Sequence, residues 1–141
     1  MAGQEGLGRL FNLVPTAEDV AINLANGAAV TFVCNGANAE MFTVVESVAG
    51  GSPANLAAID HYYKGAAVGA TTWTKDAAPT SAAVVTTTTA APVAVVTVRG
   101  EQLSDGKTHV EIQASASGTV FAILHDLVVQ RDPANLPAVG V

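Results

Sequence analysis

The sequence predicts an all-β protein: an antiparallel β-sandwich or jelly roll of about eight or nine short strands, with extended N- and C-terminal arms. Three observations predict it. Apolar residues recur at every second position in at least five segments. Turn pairs such as Asn26-Gly27, Asn35-Gly36 and Ser117-Gly118 punctuate the chain at roughly ten-residue spacing. The run "SAAVVTTTTAAPVAVVTVRG", Ser81 to Gly100, is rich in β-branched residues and alanine and carries no charge before Arg99. Such side chains lose little on extension and pack well on a pleated surface. No helix longer than about three turns is expected.

Residues 1–15, with glycines at 3, 6 and 8, lack a sustained period and read as an arm. Leu10, Phe11, Leu13 and Val14 make that arm sticky, so it must dock on its own domain or on a neighbour. The β domain is placed at 16–130. "EDVAINLANG" sets Val20, Ile22 and Leu24 on one face and ends in an Asn-Gly pair suited to a hairpin. "AAVTFVCNG" aligns Val30, Phe32 and Cys34. "EMFTVVESVAG" alternates Phe42, Val44 and Glu46 against Met41, Thr43, Val45 and Ser47. These three would form an antiparallel meander. In "GGSPANLAAIDHYYKG", Ser52 and Pro53 could open a helix, but the aromatic pair and Lys64-Gly65 favour a strand carrying Ala57, Ile59, His61 and Tyr63 on one face. "TTWTKD" offers Trp73 as a core anchor. The opening run supplies two strands, "AAVVTTTT" and "VAVVTV". Pro92 marks a strand start or an edge, and Thr86 to Thr89 read as an exposed edge. "THVEIQASA" turns Val110, Ile112 and Ala114 inward and His109, Glu111 and Gln113 outward. "TVFAILHDLVV" is the last strand. Residues 131–141, with two prolines, form a second arm bearing Leu136, Val139 and Val141. No internal repeat is present; two "PAN" triplets are too short to count.

Composition narrows the function. Charged residues make up 13% of the 141-residue chain, against about 25% in ordinary soluble proteins. Low charge with many small apolar side chains suggests a surface partly covered by partners. Only six basic residues oppose twelve acidic ones, for a net charge of −6, which speaks against nucleic acid as a partner. Neither a signal peptide nor an unbroken apolar run of about eighteen residues is visible, so the reading is a cytoplasmically made soluble protein without a membrane partner. The single cysteine, Cys34, permits no intrachain disulfide and reads as a buried strand residue.

Chemistry is sparse. The three histidines, His61, His109 and His125, fall on different expected strands and lack metal-ligand spacing. Cys34, His125 and Asp126 compose a nucleophilic set only on paper, without a nucleophile elbow. Asp60 and His61, as strand neighbours, point to opposite faces. Glu40, Glu46 and Glu111 sit at outward or strand-end positions, where solvation is the plain reading. No phosphate-binding glycine loop occurs. Tyr62, Tyr63 and Trp73 could form a sugar-stacking platform, although a core role is the simpler expectation. No catalytic, cofactor or metal site is expected.

The segments "EMFTVVESVAGGSPANLAAIDHYYKGAAVGATTWTKD" and "VVTVRGEQLSDGKTHVEIQASAS", with the Ala/Thr/Val-rich, Lys-poor composition, resemble small head decoration (minor capsid) proteins of tailed bacteriophages, particularly those infecting actinobacteria. The resemblance spans Val20 to Val129. It implies a non-enzymatic virion protein made in the host cytoplasm. Such a protein would bind the major capsid protein on the capsid surface as a symmetric oligomer, a trimer in the simplest case. The arm residues Leu10, Phe11, Leu13, Val14, Leu136, Val139 and Val141 would make the capsid or subunit contacts. Alternatives are another virion component, such as a tail-associated subunit or a carbohydrate-binding β-sandwich module, and a small enzyme using Cys34 or a histidine.

Overall fold

A computed structural model describes residues 11–15, 17–36, 38–56, 59–65, 71–77 and 83–128. The architecture is nearly all β, with two antiparallel sheets packed face to face. The described residues form eleven strands: β1 (Phe11–Val14), β2 (Ile22–Asn23), β3 (Gly27–Asn35), β4 (Met41–Ser47), β5 (Ala54–Asn55), β6 (His61–Gly65), β7 (Trp73–Ala77), β8 (Val84–Thr86), β9 (Val93–Arg99), β10 (His109–Ala114) and β11 (Thr119–Leu127). The larger sheet runs β1-β11-β3-β9-β6-β7, and the smaller runs β2-β10-β4-β5 with β8 also paired to β4. The only helical pieces among the described residues are two short 3₁₀ turns, Leu24–Asn26 and Gly100–Gln102. Beyond the expected strands lie β1, inside the expected N-terminal arm, and the two-residue β5, while β2 keeps only two residues of its expected segment.

The core lies between the sheets, where the expected alternation delivers Val30, Phe32 and Cys34 from β3 against Phe42 and Val44 from β4. Strand β9 adds Ala94, Val96 and Val98, while β10 contributes Val110 and Ile112, and β11 contributes Val120, Ala122 and Leu124. Period two thus places one side of every long strand in a common interior. Tyr62 joins this core and Tyr63 stays outside. Burial pushes the Tyr62 phenol above its ordinary pKa.

Several local expectations are corrected. The expected β2-β3-β4 meander does not form, because β3 pairs with β11 and β9 whereas β4 pairs with β10, β5 and β8. Successive apolar strands instead cross between sheets, so that both face the same core from opposite sides. Asn26-Gly27 is accordingly no hairpin turn. Gly27 opens β3, where a Cβ would come 2.6 Å from the His125 carbonyl oxygen. The expected strand through Ile59 is shorter: Ile59 is buried but β6 begins at His61. Ala57 lies outside the described residues.

Trp73 is no core anchor; it is 51% exposed, on the edge strand β7. The threonine run is not an open edge either. Thr87 is fully buried, and its hydroxyl donates to the carbonyls of Asn38 (3.0 Å) and Glu40 (3.4 Å). Thr88 and Ala91 then close a turn by mutual backbone hydrogen bonds, which leaves Thr89 as the exposed member. His109, expected outside, is buried in the central strand β10 between Asn23 and Ser47. Its Nδ1 meets the Thr108 hydroxyl at 2.8 Å.

The N-terminal arm docks, in part, on its own domain. Phe11 to Val14 pair antiparallel with His125 to Ala122 of β11, making β1 an edge strand of the larger sheet. Val14 packs against the core and Leu13 faces outward, 40% exposed. Leu10, Leu136, Val139 and Val141 lie outside the described residues.

Candidate interaction surface

The outer face of the larger sheet is built from the residues that alternate with the core set. Cross-strand register stacks them in rows. One row reads Leu13, Ile123, Thr31 and Thr97. The next reads Phe121, Val33, Val95, Tyr63 and Lys75, and a further row reads Thr119, Asn35, Val93, Gly65 and Trp73. An apolar belt therefore crosses the sheet from β1 to β7, with Lys75 at its rim as the one charged member of these rows. Four side chains protrude from it: Leu13 (40% exposed), Phe121 (39%), Tyr63 (39%) and Trp73 (51%). Val33, Val93, Val95 and Ile123 are half-buried between them. Trp73 lies over Gly65, where a Cβ would stand 3.0 Å from the indole ring. A side chain on β6 at that position would lift the ring off the sheet.

Toward Arg99 the same face becomes polar. The Thr31 hydroxyl bridges Thr97 Oγ1 at 2.9 Å and His125 Nε2 at 2.7 Å. The His61 ring stands edge-on to Tyr63, with ring centroids 5.2 Å apart and planes 88° apart. Gln102 Oε1 accepts the Arg99 backbone N–H at 2.8 Å, which pins the 3₁₀ turn beside the sheet. Two adjoining grooves result, of about 870 Å³ and about 440 Å³, sharing Thr97, Arg99 and Glu101.

The candidate chemical groups are not assembled into a catalytic centre. Cys34 points into the core, and burial, aided by the negative charge of Glu40, pushes its thiol up to about 12. His125 lies on the opposite face of the same sheet, so Cys34, His125 and Asp126 do not meet. His109 is on the smaller sheet, away from His61 and His125. Among the described residues no group of three His, Cys, Asp or Glu side chains is placed to hold a metal ion. Nor is any helix among them long and apolar enough to cross a membrane.

Two of the glutamates expected in solvent are buried and structural. Glu40 Oε1 accepts backbone N–H groups from Ala116 (3.1 Å) and Gly118 (2.8 Å), closing the β10–β11 turn. Glu46 Oε2 accepts the Ser104 N–H at 2.8 Å. Alternation carries no sign of the distant amides that donate to these carboxylates. Glu111 remains half-buried and accepts from the Gln113 amide.

Sequence reasoning missed the belt, yet a signal for it existed. The β9 segment "VAVVTVR" is apolar or β-branched at both alternating sets, as strands covered on two faces are. Comparison with protein-family models, with curated proteins and with solved structures returns no match.

Proposed function

We propose that this chain is a non-enzymatic virion structural protein that decorates and stabilises the outer surface of a tailed-phage capsid. The apolar belt on the larger sheet is the observation that carries the reading. An uncharged band bounded by polar groups suits a protein surface, whereas a nucleic acid or an anionic membrane would call for clustered cations. The resemblance to head decoration proteins supplies the partner, the major capsid protein, and the homo-trimeric state. Function through a repeated surface also accords with a chain whose one thiol is buried and protonated. Symmetric binding then multiplies modest contacts into firm attachment.

The test is cosedimentation of the purified protein with heads lacking it, alongside sedimentation equilibrium of the free protein. Saturable binding, weakened by Phe121→Asp without loss of folding, is the expected result. Failure of the parent protein to bind heads at any concentration would end this reading.

A further inference from the structure

We propose that the smaller groove, at the Arg99 end of the larger sheet, is a binding site for an uncharged saccharide. It holds about 440 Å³ and is lined in part by Asp60, His61, Tyr63, Thr97, Arg99 and Gln102, a volume within the roughly 300–1,000 Å³ of small-ligand sites. The proposed site lies at the polar end of the face but shares Tyr63 with the belt, so Asp60→Asn and Phe121→Asp, each lying outside the other surface, separate it from the capsid reading.

The lining chemistry selects the ligand class. A sugar presents hydroxyls, each both donor and acceptor, and patches of C–H that lie well on an aromatic ring. The groove supplies a matching set. Tyr63 offers a partly exposed ring, braced from the side by the edge-on His61. Asp60 is an exposed acceptor. Arg99 is an exposed donor whose acidic partner, Glu101, stands at the loose distance of 3.8 Å. Gln102 has its carbonyl oxygen engaged by the Arg99 N–H, and its amide NH₂ is a further donor. Thr97 Oγ1 is fixed by Thr31 and retains further capacity to bond. Donors and acceptors thus line the same groove as one aromatic surface.

Other ligand classes fit less well. Asp60 and Glu101 beside a single Arg99 would repel a phosphate or another anion. A purely apolar guest would cover Asp60 and Arg99 without offering either a hydrogen bond. Trp73, two residues further along the β6 register at Gly65, provides a second exposed ring in line with Tyr63. A ligand of more than one sugar unit could therefore extend from the groove along β6.

The experiment is a titration of the isotope-labelled full chain, followed by backbone amide shifts. The probes are maltose, cellobiose, lactose and N,N′-diacetylchitobiose to about 20 mM, the range where a shallow site of this size binds. Inorganic phosphate serves as the anionic comparison. At least one disaccharide should shift the amides of Tyr63, Thr97, Arg99 and Gln102 saturably. Asp60→Asn and Tyr63→Ala, both at exposed positions, should each weaken that binding about tenfold or more. Phe121→Asp, aimed at the belt, should leave it unchanged, and Asp60→Asn should leave head binding unchanged. The saccharide site is refuted if no disaccharide moves these amides, if phosphate alone does, or if Asp60→Asn and Tyr63→Ala bind like the parent.

Discussion

Replacing Glu40 by alanine should destabilise the domain more than any surface substitution, by about 2–4 kcal/mol. The magnitude follows from two contacts. Glu40 is 6% exposed, and Oε1 accepts the N–H groups of Ala116 and Gly118 at 3.1 and 2.8 Å. Hydrogen bonds to a charged acceptor contribute about 1.5–3 kcal/mol each. Two such bonds sum to about 3–6 kcal/mol, but Ala116 is exposed and Gly118 half-buried, so water takes over part of the lost bonding and about 2–4 kcal/mol remains. Glu40→Gln keeps a carbonyl oxygen and should cost about 1 kcal/mol.

Gly118 provides an independent check, because a Cβ there would stand 2.7 Å from both carboxylate oxygens and from the Phe42 ring. Gly118→Ala should therefore also destabilise, by about 1–3 kcal/mol. Combined with Glu40→Ala its added cost should shrink, since part of the clash has been removed. Urea unfolding is the assay, with the midpoint moving and the slope constant. A loss below about 0.5 kcal/mol for Glu40→Ala would refute the clasp, as would an equal loss for Glu40→Gln.

Cys34 makes stability fall in alkali. Its folded pKa is raised from 9.0 to about 12, so below pH 9 both states hold the proton and the thiol adds no pH dependence. Between those values the unfolded state alone ionises, and stability should drop by up to about 1.4 kcal/mol per pH unit. Cys34→Ala should remove that component in alkaline urea titrations, and native Cys34 should react with thiol reagents far more slowly than the unfolded chain. Trp73, the single tryptophan, should fluoresce as a solvated indole and be quenched readily by iodide. Trp73→Ala should change stability by less than about 1 kcal/mol. Deleting residues 1–10 or 131–141 should reduce head binding more than the thermal midpoint, whereas extending the first deletion through Val14 should lower the midpoint by stripping β1 from β11. A large fall in midpoint with unchanged binding for either shorter deletion would reverse that assignment.

Period two was enough to read the sandwich class and most of its core. Val30, Phe32, Val44, Val110 and Ile112 all point inward as alternation requires. Pairing was not legible in the same way, because a hairpin and a crossover to the opposite sheet leave the same alternation in each strand. Asn26-Gly27 shows the ambiguity: the pair suits a tight turn, but here its glycine answers the close approach of the His125 carbonyl. Buried polar residues were illegible for a related reason. Glu40, Thr87 and His109 bond to groups 76, 47 and one residue away in sequence, respectively, and only the last of these separations is local. The candidate surface was half legible. Tyr62, Tyr63 and Trp73 read from sequence as a possible platform but more simply as core, and the exposure of Tyr63 and Trp73 follows from β7 lying at the sheet edge.

The make-up of the belt bears on how strongly each copy can bind. Its valines and Ile123 lie flat and half-buried, so most of the recoverable apolar area belongs to Leu13, Phe121, Tyr63 and Trp73. On the proposed capsid reading, binding energy concentrated in a few protruding side chains would give each copy a modest affinity, with about 2 kcal/mol riding on a central aromatic such as Phe121. For an isolated copy, Phe121→Ala should then weaken head binding by about 30-fold. In a trimer seated through three identical faces, the substitution removes the same contact three times. The loss compounds to about 6 kcal/mol, or roughly 10⁴-fold, provided all three faces engage together. Cosedimentation across a dilution series distinguishes these cases, and the symmetric reading requires the larger loss. A change of only about 30-fold in a protein confirmed as trimeric would mean that a single face is engaged, and the belt would then not be the symmetric docking surface.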